Sequence, residues 1–274
     1  MLTELNEADA TGDIAEIFAE IRHLYATPYV SSIHRHLATR PGVLEWAWEL
    51  VAPAFRSGVA QETGWRIASD AALTPLSPIP SEVLAVWGVK SGDIATIHAI
   101  AESFTRVSPL NLVFGGIIRD VLLGMRLGER MALPKADWRP PAALAAPPGM
   151  VDSAHLDEAQ QRVLERFRSG SGSTAFVPGL YRMLARWPGL LAHLAVELGP
   201  RFESGEKTAV ARDLIHKMDA AVGEIRSTLQ KPARLAPSDD EAQHLVRMID
   251  GYRVTSPEMI LFGRLILGAI PRVS

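Results

Sequence analysis

Asn111 is the residue whose type and setting most suggest chemistry. It stands in the run Ser108-Pro109-Leu110-Asn111, where the serine reads as an N-cap and the proline as a first helical residue. That spacing predicts Asn111 in the first turn of a helix, where unpaired N–H groups favour anions. An amide at such a place can bind a carboxylate or hold a water. The motif recurs near the C-terminus, with SPLNLVFG at 108–115 matched by SPEMILFG at 256–263. Met259 takes the position of Asn111, so the polarity belongs to one copy. Phe114 and Phe262, three residues further on, share a face with Asn111 and Met259. They are core packing, or walls of a pocket if the seam between the copies is hollow.

A longer stretch is doubled as well. Residues 27–58 (TPYVSSIHRHLATRPGVLEWAWELVAPAFRSG) align without a gap on 174–205 (TAFVPGLYRMLARWPGLLAHLAVELGPRFESG). Roughly a third of the positions are identical, and two such repeats packed on each other obey the symmetry logic that relates copies in a dimer. The repeat implies a pseudo-twofold molecule with a crevice on the axis. Tyr29 and Phe176 form an equivalent aromatic pair near the start of each copy. His34 faces Tyr181, His36 faces Met183 and His193 faces Trp46 in the alignment, and His36 falls on the apolar stripe of Tyr29 and Ile33. No HExxH spacing occurs, so no zinc site is read, and no metal or other cofactor is expected. The Gly-rich run at 169–173 lacks the lysine of a P-loop and reads as a loop, and no GxSxG nucleophile elbow is present. Trp46 and Trp48 are two apart, which predicts one in the core and one nearer the surface.

The 274 residues carry 28 Lys and Arg against 31 Asp and Glu, a net charge of -3, and no cysteine. Thiol catalysis, disulfides and cysteine-held metal are excluded. A near-neutral chain without a basic run does not suit nucleic acid. The apolar run 259–270 is too short to span a bilayer and contains Arg264, so no membrane partner is expected. The acidic, polar N-terminus is unlike a signal peptide. The chain reads as soluble and cytoplasmic.

The elements that would carry these residues are helices nearly throughout. Apolar residues recur at helical spacing from Ile14 to Tyr25 and along 29–37. Pro41 and Pro188 each open a further helix, Pro53 and Pro200 kink or end it, and another helix covers 60–73. Proline-rich loops follow at 74–80 and 231–237, the second leading into a capping box at 238–241. Helices over about 93–107 and 241–255 precede the two SP motifs. The proline-rich segment 134–149 reads as an extended linker. The expected fold is all-α, with repeat A at 1–130, a linker at 131–153 and repeat B at 154–274.

The doubled VxxxxRxLAxxPGxL-type block, at 30–44 and 177–191, and the SPxN motif at 108–111 resemble the group I 2-haloacid dehalogenase family, also called the DehI family, over most of the chain. The resemblance implies an all-α pseudo-dimer, often paired again as a homodimer, with its site between the repeats. It implies hydrolysis of small 2-haloalkanoic acids by direct attack of water at C2, without a covalent intermediate. Asn111 matches the family asparagine that helps position the water. Phe114 matches an aromatic pocket residue, and Met259, Phe262 and Ile266 fall on the second-repeat wall. Tyr29, Ala175 and Phe176 complete the expected substrate contacts. The family's aspartate base should stand just ahead of Val177, where this chain has Ser173-Thr174-Ala175-Phe176. A hydroxyl such as that of Thr174 can orient a water, but its pKa forbids it from acting as the base. Three readings follow: a dehalogenase with another base (His36 or Glu49 as stand-ins), an enzyme for a different small carboxylate or strained electrophile, or a non-catalytic binding homologue.

Overall fold

The computed structural model describes residues 3–129, 138–169 and 176–272. Their regular structure is helical: α1 (Gly12–Tyr25), α2 (Ser32–Leu37), α3 (Val43–Arg56), α4 (Val59–Asp70), α5 (Ser81–Val86), α6 (Asp93–Leu122), α7 (Glu158–Glu165), α8 (Gly179–Leu184), α9 (Pro188–Leu198), α10 (Gly205–Arg226) and α11 (Asp239–Ala269). Among the described residues, extended pairing is confined to a single antiparallel bridge between Ser169 and Phe176. The all-α class therefore holds. No described helix is long and apolar enough to cross a membrane.

The two long helices α6 and α11 form the spine and make the most extensive helix contact in the molecule. They run antiparallel. Gly115 of α6 lies against Ile249, and Gly263 of α11 lies against Ala101 and Thr105, close enough that an added Cβ would sit 3.1 Å and 2.8 Å from the nearest side-chain atoms. Here the helix starts expected at Ser108 and Ser256 are corrected. Pro109 and Pro257 lie inside unbroken helices. A proline in a helix interior costs about 3 kcal/mol, but residues 107–118 and 255–263 are buried without a break. Ending the helix there would strand backbone N–H and C=O groups in the core. Packing outweighs the local stop signal. In the turn before Pro109, the Trp65 indole donates to the Arg106 carbonyl at 2.9 Å.

Other boundaries shift for local reasons. Pro188 is the first residue of α9 as expected, but α3 starts only at Val43, behind a left-handed Gly42. Pro53 is contained within α3, whereas Pro200 falls in a 3-10 turn that closes α9. Ser238 caps α11 by accepting from the Glu241 N–H. Both Trp46 and Trp48 are buried, against the expected split. The Trp48 ring can go inside because its N–H donates to Glu20 Oε2 at 2.7 Å.

Residues 138–152 form neither helix nor strand. Trp138 covers Gly58, the Leu144 N–H donates to the Ala26 carbonyl at 3.1 Å, and Arg106 donates to the Ala142 carbonyl at 2.9 Å. Further on, the Val151 N–H donates to the Arg182 carbonyl at 3.2 Å. The segment thus runs from the α3–α4 corner to α8.

Candidate functional site

The loop between α1 and α2 is held against one face of α6. It begins at Ala26, a non-glycine residue in the left-handed region (φ 51°), a conformation that costs about 1–2 kcal/mol. Glu7 fastens the other end, accepting from the Val30 N–H and from Arg22, each at 2.8 Å. Between these anchors Tyr29 is largely buried, and its hydroxyl meets Ser103 of α6. Two turns along the same helix, Ser31 Oγ donates to Asn111 Oδ1 at 2.9 Å.

Asn111 is 9 % exposed and mid-helix, so the anion-favouring helix terminus expected from the sequence does not exist. What the residue has instead is a chain of buried polar groups. Ser31 Oγ lies 2.9 Å from His34 Nδ1, and His34 Nε2 lies 3.2 Å from the Tyr25 hydroxyl. With the serine hydrogen assigned to Asn111, Nδ1 must carry the imidazole proton and Nε2 must accept from Tyr25. All donors then point one way: Tyr25 to His34, His34 to Ser31, Ser31 to Asn111. Burial pushes His34 down to about 3 and Tyr25 well above the ordinary phenol range, so both are neutral. The chain ends on the Asn111 carbonyl oxygen and turns the amide N–H groups outward from it. That nitrogen has no hydrogen-bond partner among the described residues, and it can donate to an anion or a water.

The network has a pH signature. An unfolded chain protonates His34 near pH 6.5, the folded one only near 3. Between those values the unfolded state binds more protons, so stability falls as pH drops from about 6.5, by up to ~1.4 kcal/mol per pH unit. Urea unfolding of His34→Gln is expected to flatten that stretch of the curve. An unchanged slope would mean that the folded protein already carries a charged imidazole.

The other expected site residues distribute unevenly. Phe114 is fully buried and packs on the His34 ring, centroids 4.3 Å apart, so it joins the Asn111 group. Met259, Phe262 and Ile266 are buried on α11, where Phe262 meets Phe202 edge-on at 4.9 Å. Phe176 is 44 % exposed and held in the bridge to Ser169. Thr174 and Ala175 lie outside the described residues. His36 Nδ1 bonds the Thr3 carbonyl at 2.7 Å, and the exposed Glu49 accepts from the Ala233 N–H at 2.8 Å. Neither stand-in base bonds to the Asn111 group.

Three side chains that matter were missed. His34 and Ser31 are three apart at the start of α2, a spacing that sets them on one side of the chain, and this was the signal available for the pair. Glu258 is a buried carboxylate in α11; Ser169 Oγ donates to its Oε1 at 2.7 Å. Two surface depressions of about 510 and 300 Å³ border α7. None of the expected residues lines them, and the groups able to do chemistry lie in the helix seams instead. Among the described residues no three His, Cys, Asp or Glu side chains gather as a metal site would require.

No protein-family profile matches the chain. A configuration-inverting 2-haloacid dehalogenase of Alcaligenes xylosoxydans xylosoxydans is 24% identical over 258 residues, 86% of this chain and 83% of that protein. The fold resembles that of a D-2-haloacid dehalogenase in complex with L-LA, with a TM-score of 0.74 and 18% identity over 97% of this chain and 95% of the other. A mutant D-2-haloacid dehalogenase in complex with D-2-CPA superposes with a TM-score of 0.66 at 19% identity, covering 98% and 94% of the two chains. The solved structures speak for the fold alone, and the curated relative speaks for descent. Together with the doubled block and the SPxN motif, they make this chain similar to the 2-haloacid dehalogenases in sequence and fold.

Proposed function

We propose that the protein is a hydrolase acting on the carbon–halide bond of small 2-haloalkanoic acids, by direct attack of water at C2 and without a covalent intermediate. The observation that carries this reading is Asn111: buried, fixed through its carbonyl oxygen by Ser31, and with amide N–H donors that have no partner among the described residues. A donor held in a dry site is worth far more than one in water. The name of the curated relative supports a single displacement at C2, since that inverts the carbon, and attack by water is one such displacement. Tyr29, Phe114, Ala175, Phe176, Met259, Phe262 and Ile266 are proposed to contact the substrate, and Thr174 to orient water.

The domain scheme is part of the same proposal: repeat A at 1–130, a linker at 131–153 and repeat B at 154–274, related by a pseudo-twofold axis. The reciprocal contacts of the spine support it. Gly115 and Gly263 are equivalent in the repeat, as are Ala101 and Ile249, and each glycine lies against the other copy's partner residue. Such exchange is the mark of an isologous contact.

Two measurements test the chemistry. Chloride release from each enantiomer of 2-chloropropionate is expected, with lactate of the opposite configuration as product. In a single turnover in H2(18)O with enzyme in excess, the label should enter the lactate at once. Unlabelled first-turnover lactate would instead mean that an enzyme carboxylate had formed an ester, and the mechanism would be wrong.

A further inference from the structure

Glu258 is 4 % exposed and is the one buried carboxylate among the described residues. A carboxylate taken out of water costs several kcal/mol unless it is paired, so its surroundings must account for it. Ser169 Oγ donates to Oε1 at 2.7 Å, and the Tyr181 hydroxyl reaches the same oxygen at 3.5 Å. Oε2 accepts no hydrogen bond from the described residues. Lys207 Nζ stands 3.7 Å from it, near enough to attract and too far to hydrogen-bond. Among the described residues, then, one oxygen is anchored by hydrogen bonds and the other accepts none. Aromatic rings back its partners: Tyr181 stacks on Phe167 at 4.2 Å, and Lys207 lies over Phe202.

Packing does not call for an acid here. The equivalent of Glu258 in the first copy is Leu110, which is fully buried. Glu258 also adjoins Met259, the counterpart of Asn111, so each SP motif carries one polar side chain of its own at neighbouring registers.

We infer that Glu258 is the general base of the hydrolysis, receiving at Oε2 a proton from the attacking water while Ser169 holds Oε1. The inference rests on the dehalogenase reading. The water oxygen bonds to C2 as the carbon–chlorine bond breaks, and chloride leaves with the electron pair. The water's proton goes to Oε2 and later to solvent, so the products are the 2-hydroxy acid, chloride and a proton. Burial raises the carboxyl pKa, while Ser169 and Lys207 oppose that rise. A carboxylate whose pKa is raised is the stronger proton acceptor.

Glu258→Gln keeps the shape and the bond from Ser169. It is expected to lower kcat for 2-chloropropionate by about 10²–10⁴-fold with KM little changed. In the wild type, the acid limb of the pH–rate profile should follow the carboxyl, and Lys207→Met should move that limb upward. Activity of Glu258→Gln within threefold of wild type would overturn the assignment and leave the dehalogenase reading standing. A wild type that releases no halide would sink that reading instead. The carboxyl is then judged by ¹³C NMR of glutamate-labelled wild type titrated with lactate, its resonance assigned by displacement in Ser169→Ala. A ligand-induced shift supports contact with the bound acid, and an unmoved resonance refutes it.

Discussion

Asn111→Leu is expected to lose about 10²–10³-fold in kcat/KM for 2-chloropropionate while folding normally. The magnitude is that of removing one pre-set hydrogen-bond donor from a developing anion. Leucine keeps the volume and removes both the donor and the acceptor. The Ser31 hydroxyl, deprived of the Asn111 oxygen, also loses its partner, at about 1–3 kcal/mol of stability, so the unfolding midpoint should fall modestly. The companion His34→Phe leaves the amide in place and cuts the chain that orients it. A rise in KM with a smaller change in kcat is expected there, because the amide would still donate but in a less fixed direction. Leucine at 111 with wild-type turnover would remove the amide from the mechanism. Equal losses in kcat and stability across all variants would reduce the network to a packing device.

Gly58→Ala is expected to destabilise the protein by about 3 kcal/mol, through two separable effects. Gly58 has φ +80°, where any Cβ costs about 1–2 kcal/mol. An added Cβ would also fall 2.2 Å from Trp138 Cγ, and forced overpacking adds about 1–3 kcal/mol. In a protein of this size a loss of that order lowers Tm by roughly 10 °C. In a Trp138→Ala background the steric part should vanish, leaving about 1–2 kcal/mol, which a double-mutant cycle reads directly. An identical cost in both backgrounds would mean that Trp138 does not cover this corner in solution. The contact matters for function because the segment that carries Trp138 goes on to the Ala26 carbonyl, where the loop carrying Tyr29 and Ser31 begins.

The same glycine illustrates how far the repeat could be read. Ser57-Gly58 and Ser204-Gly205 are identical in sequence, yet Ser57 ends α3 and Gly58 turns left-handed before α4. Ser204 instead caps α10 and accepts from the Lys207 N–H at 3.1 Å. The local signals are equal, and the neighbours choose between them. Pro109 and Pro257 repeat the lesson in reverse: each carries a legible stop signal that burial overrides.

Helical periodicity, the doubled block and the replacement of Asn111 by Met259 are properties of residue order, and the sequence alone determined the helical class and the choice of Asn111 from them. The partners of that amide depended on tertiary structure. Ser31 is separated from Asn111 by 80 positions, and Ser169 from Glu258 by 89, and no periodicity carries information over such spans. Glu258 was hidden for the same reason, since beside the apolar run of α11 it looks like any solvated helix residue. Whether a side chain is buried, and what neutralises or orients it there, is decided by the packing of helices remote in sequence.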